Sequence, residues 1–121
     1  MKATLNEDQG VWQGGEVYAD RVGHSLIEIA TADCPDGWRA IVSVYCPRYM
    51  ASGGVFKELA PYPTEEEAIV SALKSRIRRI DLVKHDEERR EEFEELLKAL
   101  NEKLKMYEDA VARILVLIEK K

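Results

Sequence analysis

All seven glycines and all four prolines of this 121-residue chain lie at or before Pro63, and none follows it. Glycine and proline are the residues that turn a backbone or stop a helix, so the two parts of the chain must fold differently. The first, 1–63, is cut into short segments and suits a sheet. The second, 64–121, is uninterrupted and suits helices. Strands followed by helices define an α+β domain. A chain of this length supports one hydrophobic core rather than two, so 1–121 reads as a single domain with a sheet region, 1–63, and a helical region, 64–121.

Within the sheet region, Leu26-Ile27-Glu28-Ile29-Ala30-Thr31 and Trp38-Arg39-Ala40-Ile41-Val42-Ser43-Val44-Tyr45 are rich in β-branched and aromatic residues. Cys34-Pro35-Asp36-Gly37 between them is turn chemistry, which predicts a hairpin with a bulged turn. Glu16–Arg21 and Val55–Leu59 are weaker strand candidates, and Pro47–Met50 with Ser52-Gly53-Gly54 reads as a loop. An antiparallel sheet of three or four strands follows. Side chains alternate along a strand, so Trp38, Ala40, Val42, Val44 and Cys46 share the face expected to receive the helices.

The helical region opens at Thr64, with Glu67 three residues later as a capping box and Glu65 and Glu66 where the helix dipole favours negative charge. Ala68, Ile69, Ala72, Leu73, Ile77 and Ile80 form an apolar stripe suited to lying on the sheet. The stripe fails between Asp81 and Arg90, and a break or bend is expected within Asp81–Asp86. From Phe93 a heptad register takes over: Phe93, Leu97, Leu100, Leu104, Tyr107, Val111, Ile114 and Ile118 alternate steps of four and three. Near its end Ile114-Leu115-Val116-Leu117-Ile118 is apolar on every side. This seam predicts an interface, either in a homodimer or with another protein partner.

Few chemistries have the residues they need. A net charge of −5 argues against a general polyanion binder, leaving Lys74, Arg76, Arg78 and Arg79 as the residues that would contact nucleic acid if any do. His24, His85, Cys34 and Cys46 never fall at zinc-ligand spacings, so neither metal nor cofactor is expected. The pairs Gly14-Gly15 and Gly53-Gly54 lack the Lys-Ser/Thr ending of a phosphate loop. Ser52 has no histidine context to activate it, so no catalytic residue is assigned. Tyr45, Tyr49, Phe56 and Tyr62 surround the glycine-rich loop and are candidates for a small-molecule or peptide groove. No apolar run approaches bilayer length and no signal-peptide pattern opens the chain, so a soluble cytoplasmic protein with free thiols is expected.

The run Gly37-Trp38-Arg39-Ala40-Ile41-Val42-Ser43-Val44, then Gly53-Gly54, then Pro63-Thr64-Glu65-Glu66-Glu67-Ala68-Ile69 resembles the strand, glycine and T-x-E-E-A-I helix entry of HicB-type antitoxin modules. That family's proline-glycine segment and DNA-binding tail are missing, so toxin neutralisation does not carry over. In style the whole chain also resembles the small orphan proteins of phages and integron gene cassettes. The expectation drawn from the residues themselves is a non-enzymatic interaction or regulatory module that self-associates through its C-terminal helix. A ligand-binding protein and a nucleic-acid-contacting regulator are the alternatives.

Overall fold

The computed structural model describes residues 2–83 and 90–119. Its elements are β1 (Thr4–Asn6), β2 (Val11–Gln13), β3 (Glu16–Val22), β4 (Ser25–Cys34), β5 (Gly37–Cys46), β6 (Tyr49–Ala51), α1 (Glu65–Val83) and α2 (Arg90–Glu119). β3-β4-β5-β6 form an antiparallel meander in that spatial order, and β1-β2 form a separate two-stranded ribbon. The fold is therefore the expected α+β, with four strands in the main sheet and a long second helix.

Each hairpin of the meander turns in two residues: Gly23-His24, Pro35-Asp36 and Pro47-Arg48. The β4–β5 register runs without a skip from Leu26↔Tyr45 to Cys34↔Gly37, so the turn carries no bulge, contrary to the sequence expectation. Gly37 is required there for two reasons. Its φ is +138°, and a Cβ on it would come within 2.8 Å of the Tyr62 carbonyl oxygen. That approach exists because Trp38 and Tyr62 exchange a pair of backbone hydrogen bonds, of 2.7 and 2.8 Å.

Strand alternation places Ile27 and Ile29 of β4 beside Val44 and Val42 of β5 on one face. The helices cover that face, with Ile69, Leu73 and Ile80 from α1 and Phe93, Leu96 and Leu100 from α2 completing the main core. Ala40 and Cys46 pack at its margin, as their position on the strand required, and Tyr49 meets Phe93 edge to face at 5.1 Å. The helix entry is built as read: the Glu67 amide donates to Thr64 Oγ1 at 3.2 Å. Cys34 and Cys46 close β4 and β5 at opposite ends of the pair and are both free. Burial raises the pKa of each thiol.

The opposite face of the sheet has a smaller core of its own. Ala32 and Cys34 lie there with Ala3 and Val55, flanked by Trp12, Ile41 and Leu59. The β1-β2 ribbon is held over this face by Ala3 N–H to the Asp33 carbonyl at 2.8 Å and Trp12 N–H to the Val55 carbonyl at 2.9 Å. Arg39, almost fully buried, ties the layer together. It donates two hydrogen bonds to Asp36, at 2.6 and 3.0 Å, and a third to the Leu59 carbonyl at 2.8 Å, with its guanidinium 5.5 Å from the Trp12 ring centre. That pairing holds the Asp36 carboxyl below its ordinary pKa.

Three local expectations are corrected. Val55–Leu59 is no strand; it meets the ribbon through the single bridge Val11↔Phe56, because Gly53-Gly54 before it and Pro61 after it leave no room to extend the pairing. Tyr49–Ala51, read as loop, is instead β6, returned onto β5 by the Pro47-Arg48 turn. Asp81, placed at the expected break, is still within α1, which runs to Val83; the rest of that expected break, 84–86, lies outside the described residues.

The buried face of α2 takes in one residue that the expected seam leaves out. Phe93, Leu96 and Leu100 are its buried side chains, and Leu97, Leu104 and Tyr107 pack beside them, so Leu96 and Leu97 share the inward side because the face spans more than a single a/d row. Leu96→Ala is therefore expected to destabilise the fold by about 2–5 kcal/mol, whereas Leu117→Ala should stay within about 0.5 kcal/mol in the monomer. Urea denaturation of the two variants at low protein concentration checks this.

Candidate functional site

α2 is much longer than the helix it packs on, with 30 residues against 19 in α1. At 1.5 Å per residue the difference is about 16 Å of helix. Its N-terminal part is fastened firmly. Leu97, Leu104 and Tyr107 pack against the main core, and Lys103 reaches Asp20 of β3 at 2.8 Å, holding that carboxyl below its ordinary pKa.

The point of departure is built around Glu65, the first residue of α1. Its carboxylate accepts hydrogen bonds from Thr31 Oγ1 at 2.9 Å and from the Tyr18 hydroxyl at 3.2 Å. Tyr107 sits in the field of Glu65 and Glu66. Partial burial raises the pKa of both tyrosines; Glu65 is the next cause for Tyr18 and adds to the rise at Tyr107.

Past Tyr107 the helix runs out of domain. Val111 and Ile114 are half-buried, and then Leu115, Val116, Leu117 and Ile118 stand 50%, 48%, 64% and 62% exposed. Exposed apolar residues scattered singly are ordinary, but four in succession make a patch that water does not favour. Alongside it lies an open cleft of about 780 Å³. Tyr62, Val70, Lys74 and Arg78 line it from the α1 side, and Val111 and Leu115 from α2.

The expected interface residues thus divide. Phe93 and Leu100 are spent in the protein's own core, and Leu97, Leu104 and Tyr107 border it. Val111, Ile114 and Ile118 belong to the overhang, joined there by Leu115, Val116 and Leu117, which the heptad count leaves out. The signal for those three was the unbroken apolar run rather than the register.

The other two candidate sets are dispersed. Tyr49 lies under the helices against Phe93, whereas Tyr45 and Ile41 share the opposite face of β5. Phe56 approaches the ribbon through its bridge to Val11, and Tyr62 shares a 2.7 Å hydrogen bond with Ser71 of α1. The four aromatics form no common groove. Of the basic residues, Lys74, Arg78 and Arg79 are exposed, but Arg76 is buried against the sheet and donates through Nε to the Val42 carbonyl at 2.9 Å. A helix that lies on a sheet must turn one in three or four of its residues inward, and Arg76 stands three after Leu73 and four before Ile80 on that inward side. The four cations do not form one surface.

Among the described residues no three His, Cys, Asp or Glu side chains come together as a metal site, and no helix is long and apolar enough to cross a membrane. Comparison with protein-family models, with curated proteins and with solved structures finds no match.

Replacing Glu65 with Gln should lower the titration of Tyr18 and Tyr107 toward the ordinary tyrosine value near 10. The sign follows from linkage: a folded-state pKa raised by a neighbouring carboxylate favours the neutral phenol, and its stabilisation is lost as pH rises through that pKa. Phenolate absorbance of wild type, Glu65→Gln and Tyr18→Phe reads the shift directly.

Proposed function

We propose that this domain is a non-enzymatic self-association module in which two copies exchange the free ends of α2, each lying in the other's cleft. The observation that carries this reading is the exposed run Leu115–Ile118 at the end of a helix that outlasts its own support.

Size favours a second copy as the occupant. A stable interface takes about 800 Å² and roughly 20–30 residues from each partner, which an overhang of about three turns cannot supply alone. A two-fold pair doubles the contact, because each chain contributes both a ridge and a cleft and the same patch is used twice.

Sedimentation equilibrium of the full chain across micromolar concentrations should give a dimer. The double variant Leu115→Glu/Ile118→Glu removes two large apolar side chains from the interface, each worth about 1.5–3 kcal/mol when fully buried. Dimerisation should weaken by at least about a hundredfold, at 1.4 kcal/mol per tenfold, with helical circular dichroism retained. A wild type that stays monomeric throughout, or a double variant that dimerises as the wild type does, refutes the proposal.

A further inference from the structure

Beneath α1, between its inward edge, β5 and the segment Leu59–Tyr62, lies a second and smaller cavity of about 160 Å³. Arg76 and Arg79 line it together with Ser71, Ser75 and Tyr62, and no Asp or Glu is among its lining residues. In a chain with a net charge of −5 this is a local reversal of sign, and it arises from how α1 lies. Positions 72, 75, 76 and 79 follow one another at helical spacing on the edge that faces β5, so both guanidinium groups and a hydroxyl are delivered to one recess.

Arg76 is the unusual member. It is 8% exposed, and among the described residues it has no carboxylate partner. Its Nε bonds the Val42 carbonyl; burial disfavours its charge most, Tyr49 beside it favours that charge, and Arg79, of the same sign, opposes it. Burying a cation without a counter-charge is costly, and a second cation alongside adds to the cost. Arg39, on the other side of β5, shows the ordinary solution, a two-pronged pairing with Asp36. At Arg76 no counter-charge stands among the described residues, while donors for one are present. A guanidinium offers five N–H donors in a planar fork, of which the Val42 carbonyl takes one and Tyr49 another.

We propose that this recess binds one small oxyanion group, of the phosphate or carboxylate type, held by Arg76 and Arg79 with the Ser75 hydroxyl as a further donor. Planar N–H forks match the paired oxygens of such groups. The volume sets the upper limit: at about 30 Å³ for each water in the liquid, the recess has room for roughly five waters. That admits a single oxyanion, whereas drug-sized ligands occupy pockets of about 300 Å³ and more. Arg79 is exposed, so the recess opens at its side chain, and a larger molecule would enter by its anionic end only. Its two charged donors, Arg76 and Arg79, do not line the larger cleft, whereas Ser71, Ser75 and Tyr62 line both, so anion binding is read in the Leu115→Glu/Ile118→Glu variant as well as in the wild type.

The test is a titration of the full chain with inorganic phosphate, with acetate and with glycerol phosphate, each at an ionic strength fixed by sodium chloride. Melting temperature is read alongside the arginine side-chain Nε–Hε resonances. A bound anion stabilises the fold in proportion to the logarithm of its concentration over its dissociation constant. At least one of the three should raise the melting temperature saturably above the chloride control and shift the Arg76 Nε–Hε resonance.

Arg79→Gln, on an exposed position, should weaken that binding at least tenfold, and Arg76→Met should abolish it. Arg21→Gln, an exposed arginine on β3 that lines neither the recess nor the cleft, should leave it unchanged. If Arg76→Met does not fold, the contrast between Arg79→Gln and Arg21→Gln decides alone. Preference for acetate over phosphate assigns a carboxylate ligand, and tighter binding of glycerol phosphate than of phosphate assigns the end of a larger ester. No response beyond chloride, or equal losses in Arg79→Gln and Arg21→Gln, overturns the proposal.

Discussion

The structure depends on β5 being buried from both sides. Its Val42 and Val44 belong to the main core beneath the helices, and its Ile41 belongs to the smaller core beneath the β1-β2 ribbon. A meander of this size would leave one face wet if only helices were available to cover it. Here the N-terminal ribbon and the 55–62 segment close the second face, so a strand with no purely polar side can sit at the centre. The glycines and prolines concentrated in the first part of the chain serve this arrangement. They provide the tight hairpins and the close backbone approach that let three separate pieces of chain reach one strand.

Arg39, which projects from β5, and Arg76, which reaches β5 from α1, lie on opposite faces of the strand and are both buried, yet they play different parts. Arg39 is matched by Asp36, a backbone carbonyl and the Trp12 ring, and its hydrogen bonds join a turn, a strand and a distant segment. Arg76 has a carbonyl and a tyrosine but no opposite charge among the described residues. A buried guanidinium in the first situation acts as a clasp. In the second it holds a charge without its counterpart, and the recess next to it has the size of one.

Much of the fold was legible because the residues involved act locally. Thr64 with Glu67 marks a helix entry through a single amide-to-hydroxyl bond, and Pro35-Asp36-Gly37 sets a hairpin through three backbone torsions. The stripe from Ala68 to Ile80 and the alternation in β5 report burial through period alone. What the residues did not reveal was non-local. β1 and β2 are three residues each and draw their stability from contacts with Asp33, Val55 and Lys57, which no short window contains. Leu96 falls outside a strict four-three count, although it stands beside Leu97 on the inward side of α2. Arg76 takes its inward place through spacing alone, three after Leu73 and four before Ile80, where its charge points to the surface. Of the overhang, the apolar run was plain in the sequence, but the point at which domain support ends was not, because it is fixed by the difference in length between two helices.

That difference in length has a consequence for the backbone as well. Isolated helices shorter than about 12–15 residues are marginal in water, and the stretch of α2 beyond α1 is about that short. Its hydrogen bonds persist because they extend a helix already nucleated on the sheet, so opening it from the free end costs little and does not disturb the core. A partner that covered the overhang would also have to keep it wound, and part of the association energy would go into ordering those last turns. Affinity at such a surface would be tied to helix propensity along the last turns of α2 as well as to the side chains in contact.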